Sequence, residues 1–129
     1  MKSFSECEKD LIMAARHGLK VMNDESLDPG KRALELSKVM AGLAQAKANL
    51  EFIRSEAIRS EKRVFSRVLS GAEGRSQEER FAHSKGSEEF LKALEYVDYI
   101  EARYSECRSL MAAFKHAILT FRGMMGMKQ

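Results

Sequence analysis

Apolar residues in the second half of the chain recur with a strict seven-residue period. Phe90, Val97, Tyr104, Met111, Ile118 and Met125 form one series, and Ala93, Ile100, Cys107, Phe114 and Phe121 form another. The two are offset by three, which sets an average apolar spacing of 3.5 residues and predicts a long helix with a coiled-coil seam, over about 87–122. A matching stripe lies upstream. Leu36, Leu43, Leu50, Ala57 and Val64 repeat every seven positions, with Val39, Ala46 and Ile53 beside them. The second seam turns polar at Ser60 and Arg67. Asp28-Pro29 supplies the start of this segment: Asp accepts from the free first-turn amides, and Pro at the first helical position has no amide to leave unpaired. The next breaker is Ser70-Gly71, so the predicted helix covers 29–69, roughly 60 Å at 1.5 Å per residue.

Two long stripes joined by a short connection bury each other best as an antiparallel hairpin. Residues 70–86 supply that connection. SGAEGR (70–75) reads as a turn, Ser76-Gln77-Glu78-Glu79 as a capping box opening a short helix over about 76–84, and Ser87 as the cap of the last helix. A thinner stripe of Phe4, Leu11, Ala15, Gly18 and Met22 predicts a first helix over 3–22 that depends on docking. The expected fold is therefore all-α: a long antiparallel, coiled-coil-like hairpin with a shorter N-terminal helix, in one domain. Leu91, Leu94, Leu110 and Met124 widen the last stripe beyond what two helices cover, which predicts a homo-oligomer.

Composition fits this picture. The 129 residues are 44% hydrophobic and 32% charged with a single Pro, a balance suited to helices packed through stripes. No apolar run approaches the roughly 20 residues that span a bilayer, and MKSFSECEKD lacks the apolar stretch of a signal peptide. With Cys7 and Cys107 a hundred residues apart, neither a zinc site nor a disulfide framework is indicated, and a cytoplasmic setting is expected. His17, His83 and His116 are scattered; HExxH, a phosphate loop and the Glu-x-x-His pairs of di-iron bundles are missing. The expectation is a binding protein that is not an enzyme and carries no cofactor or metal. Met111, Met124, Met125 and Met127 crowd the C-terminal end, where Met serves as seam filler or as an adaptable surface.

Charge placement narrows the binding reading. Between Arg54 and Lys85 stand eight basic residues (Arg54, Arg59, Lys62, Arg63, Arg67, Arg75, Arg80, Lys85) against Glu56, Glu61, Glu73, Glu78 and Glu79. In a hairpin, 51–69 would lie beside 87–101, where Glu88, Glu89, Glu95, Asp98 and Glu101 face Lys92 alone, so part of this charge would be paired across the hairpin. A second basic surface has less compensation. Lys31, Arg32, Lys38 and Lys47, with Arg103, Arg108, Lys115 and Arg122, oppose only Glu35 and Glu106. Docking of the first helix through Glu6, Glu8 and Asp10 would neutralise part of it; left open, it would attract phosphate.

The run Ser60-Glu61-Lys62-Arg63-Val64-Phe65-Ser66-Arg67-Val68-Leu69-Ser70-Gly71, then Gly86-Ser87-Glu88-Glu89-Phe90-Leu91-Lys92, then Tyr104 to Arg122, resembles the UvsY-like recombination mediators of tailed phages. The resemblance covers about residues 45–125 and is one of pattern. It implies a small oligomeric protein that binds single-stranded DNA. It further implies help in loading a recombinase onto DNA coated by a single-strand-binding protein, in the host cytoplasm if phage-encoded. The family's DNA-contacting basic pair falls near Lys62 and Arg63, with Arg59, Arg67 and Arg75 as supporting contacts. Phe65 and Phe81 are the only aromatics near that basic end, so contact is expected mainly with backbone phosphate. The alternative is a helical protein-interaction module, an inhibitor or scaffold, without nucleic-acid binding.

Overall fold

The computed structural model describes residues 2–127, and these are all-helical, in four helices. They are α1 (Phe4–Met22), α2 (Pro29–Gly71), α3 (Gln77–Lys85) and α4 (Glu88–Met127). The chain divides into two compact units, the first made of the residues up to Leu50 with those from Arg103 onward, the second of Glu51–Ala102.

In the first unit three helices share a core. The Leu36 and Leu43 side chains of α2 and Phe114 of α4 are fully buried, with Val39, Ala46, Leu50, Cys107 and Ile118 around them. Contacts between α2 and α4 run in opposite chain order. The Cys107 thiol donates to the Leu43 carbonyl at 3.4 Å, Arg32 stacks over the Phe121 ring at 5.4 Å, and Met125 reaches Gly30. This order is compatible with the hairpin. The first helix is buried through Cys7, Leu11, Gly18 and Val21, so its true face contains Cys7 and Val21 where the sequence pattern suggested Ala15 and Met22. Gly18 is what lets it close in: a Cβ there would stand 2.3 Å from the Phe114 ring. A capping box that the sequence reading did not single out opens α1, with the Ser3 hydroxyl accepting from the Glu6 amide and the Glu6 carboxylate answering Ser3. Between α1 and α2, Asp24 accepts from both the amide and the hydroxyl of Ser26, which holds its carboxyl below the usual range. The Arg32 guanidinium ties the same connector down through the carbonyls of Asp24 and Leu27.

The second unit is thinner. Ala57, Phe90, Val97 and Ile100 are its buried apolar residues, and the Ser84 hydroxyl, donating to the Arg80 carbonyl, is fully buried beside them. Here too the contact order is reversed, Arg54 meeting Glu101 and Arg67 meeting Glu89. Two boundaries and one cap differ from expectation. Ser70 and Gly71 are still helical, so the turn begins at Ala72. Ser76 caps α3 by accepting from the Glu79 amide, but the Glu79 carboxylate takes the amide of Arg75 instead of completing a box on Ser76. The last helix runs to Met127, through Gly123 and Gly126, beyond the 122 inferred from the seam. Glycine merely weakens a helix, and with nothing else to stop it the backbone ladder continues.

Candidate nucleic-acid interface

The basic residues singled out near the end of α2 are placed on exposed positions of the second unit, but they do not have equal freedom. Arg59 is committed to Glu56 one turn earlier, at 2.8 Å, and Arg67 to Glu89 of α4. Arg54 lies 3.2 Å from Glu101. Lys62 and Arg63 are exposed and hold no ion pair or hydrogen bond among the described residues, and the Arg75 side chain likewise stands clear. Cross-helix pairing thus absorbs Arg54 and Arg67 and leaves the Lys62-Arg63 pair. An unpaired exposed cation keeps its full hydration shell and counter-ion, which is the state that a phosphate exploits on binding.

A feature invisible to residue spacing appears beside this pair. Phe65 of α2, Phe81 of α3 and Phe90 of α4 gather at one groove. The Phe65 and Phe81 rings meet edge-on with centroids 5.2 Å apart, and Phe65 meets Phe90 at 4.9 Å, tilted by 50°. Lys62, Ser66, Lys85 and Glu61 complete the lining of this open groove of about 440 Å³. Phe90 is buried, whereas Phe81 remains 41% exposed, with the Lys85 ammonium over its ring at 4.5 Å. Phe90 belongs to the seam by period and meets Phe65 across the α2–α4 pairing, whereas only the fold of α3 onto α2 brings Phe81 to them.

The alternative basic surface, in the first unit, is largely occupied. Lys38 pairs with Glu35 at 3.0 Å. Arg103 bridges Glu8 of α1 and Glu106, each at 2.8 Å, and both carboxylates hold its guanidinium more firmly charged. Glu8 is the one acid of the first helix that reaches this surface, because Glu6 serves the Ser3 cap and Asp10 pairs with Lys2. Lys47 is half-buried and engaged, and Arg108 lies over the Tyr104 ring at 6.0 Å. Lys115 and Arg122 are exposed without an ion pair among the described residues.

Cys7 and Cys107 are both fully buried free thiols, and burial pushes each thiol's pKa up, away from the reactive thiolate. Among the described residues no cluster of His, Cys, Asp or Glu is placed to hold a metal ion, and no helix is long and apolar enough to cross a membrane. The chain is thus an all-helical protein with an exposed basic pair beside an aromatic groove. No family model, curated protein or solved structure matches it.

Proposed function

We propose that this protein binds single-stranded DNA as a non-catalytic helical subunit, with Lys62 and Arg63 as the principal phosphate contacts. The observation that carries the reading is that these two adjacent cations are exposed and unpaired among the described residues, while their basic neighbours Arg59 and Arg67 are neutralised by Glu56 and Glu89. Arg75 adds a third open charge, and Arg59 and Arg67 contribute only by exchanging an exposed carboxylate partner, a pair worth under about 1 kcal/mol, for phosphate. The Lys38, Lys47, Arg103, Arg108, Lys115 and Arg122 surface is the weaker candidate because four of its six cations already have partners.

The resemblance to phage recombination mediators supports a wider role, in which an oligomer of the chain helps place a recombinase on DNA coated by a single-strand-binding protein. The α2–α4 pairing would then be one strand pair of a larger, coiled-coil-like assembly. In a fluorescence-anisotropy titration with a labelled oligonucleotide, K62A/R63A should bind on the order of tenfold more weakly than wild type, while circular dichroism stays unchanged because neither side chain is in a core. Equal affinity removes the site assignment.

A second reading, a protein-interaction module, is favoured by the first unit. Leu34 is exposed on a groove of about 340 Å³ that it shares with Val21, Leu27 and His17, and Met13 and Leu19 are exposed on α1. Absence of oligonucleotide binding at low salt would select it.

A further inference from the structure

The phosphate contacts do not explain why Phe81 stands half out of the molecule. Phe65 and Phe90 offer it an apolar floor, yet it meets Phe65 edge-on and leaves much of its ring to solvent. The charges at the groove are mixed. Lys62 and Lys85 are on its lining, but so is Glu61, and Glu78 lies with Phe81 on the adjoining surface. A purely electrostatic trough for phosphate would not carry those carboxylates. What the groove offers beyond charge is an aromatic face that Phe65 meets edge-on.

We propose that this groove is a stacking site for one unpaired nucleobase, with Phe81 as the platform and Lys62 and Lys85 gripping the flanking phosphates. The inference rests on the single-strand reading above and adds to it a reason for preferring single strands, since a paired base cannot leave its stack to reach the ring. Lys85 now satisfies the ring by lying over it at 4.5 Å. Its side chain is exposed and flexible, so an arriving base can take the ring face while the ammonium moves to a phosphate. One weak cation–π contact is exchanged for a stack and a charge-assisted bond. The groove volume of about 440 Å³ falls within the roughly 300–1,000 Å³ of small-ligand sites.

The chain has no tryptophan, so Phe81→Trp places a single indole reporter in the groove. Titrated with oligothymidylate at fixed low salt, its fluorescence should be quenched, and an abasic oligonucleotide of equal length should quench it far less. Phe81→Leu, which keeps an apolar side chain over Phe65, should weaken oligothymidylate binding on the order of tenfold, as loss of one base stack does, and leave the salt slope at the wild-type value. If wild type binds no single strand at all, the phosphate reading fails and the stacking site with it. Salt-dependent wild-type binding combined with a silent indole, or with a Phe81→Leu affinity equal to wild type, overturns the stacking site alone. The groove would then fit an apolar segment of a protein partner.

Discussion

Two glycines show how a single hydrogen-for-methyl exchange can act in opposite directions in this protein. Gly18 faces Phe114, whose ring is fully buried and would lie 2.3 Å from an added Cβ. Gly42 is exposed on α2 with nothing near the added atom. Gly18→Ala should therefore destabilise by about 1–3 kcal/mol through overpacking. Gly42→Ala should stabilise by about 1 kcal/mol through helix propensity, since no close helix contact occupies that side. Urea denaturation of the two variants beside wild type measures both; a Gly18→Ala variant as stable as wild type would mean that α1 does not dock through Gly18. Only the first half of this contrast is legible in the sequence, where Gly18 falls on the apolar stripe of the first helix. Burial of Cys7 in place of Ala15 escaped it because a stripe with so few apolar positions fits more than one helix face.

At the scale of elements, the long helices were legible because many seam positions agree with one another. Leu36, Leu43, Leu50, Phe90, Val97 and Ile100 are all buried as their period required. The connection is less legible. The turn shifts past Gly71, and Glu79 reaches Arg75 instead of Ser76, because local hydrogen bonds with near-equal alternatives decide such details. The aromatic groove depends on how α3 folds onto α2, and no periodicity records that. The same helix is weakly held, Ser84 being its one buried residue. Its amides should exchange with solvent faster than those of α2 between Leu36 and Leu43, which belong to a full core. Hydrogen-exchange mass spectrometry reads this directly; equal protection would mean that α3 is bound more tightly than its burial implies. Ser76→Ala should accelerate α3 exchange further, by loss of a cap worth about 1 kcal/mol.

The whole molecule leaves much apolar surface uncovered. Leu34, Phe52, Leu91, Tyr96, Tyr99, Leu119 and Met124 are large and exposed, and they are distributed over both compact units. Single exposed apolar residues are ordinary, but this number on a 14.6 kDa chain fits a subunit that buries surface against copies of itself. Static light scattering at micromolar concentration should then give a mass that is a multiple of 14.6 kDa, and a monomeric mass would remove the oligomer. Under the proposed function, assembly would matter because repeated Lys62-Arg63 pairs on one complex would grip one strand at several points and multiply weak contacts.

The most direct test is the salt dependence of single-strand binding. Wild-type affinity for an oligonucleotide, measured by anisotropy between low and moderate salt, should fall linearly on logarithmic axes. In K62A/R63A the slope should shrink by about 1.4, as expected for two lost phosphate contacts at about 0.7 each on a single strand. No binding at low salt, or a slope that the double substitution leaves unchanged, would contradict a phosphate-binding role for this pair.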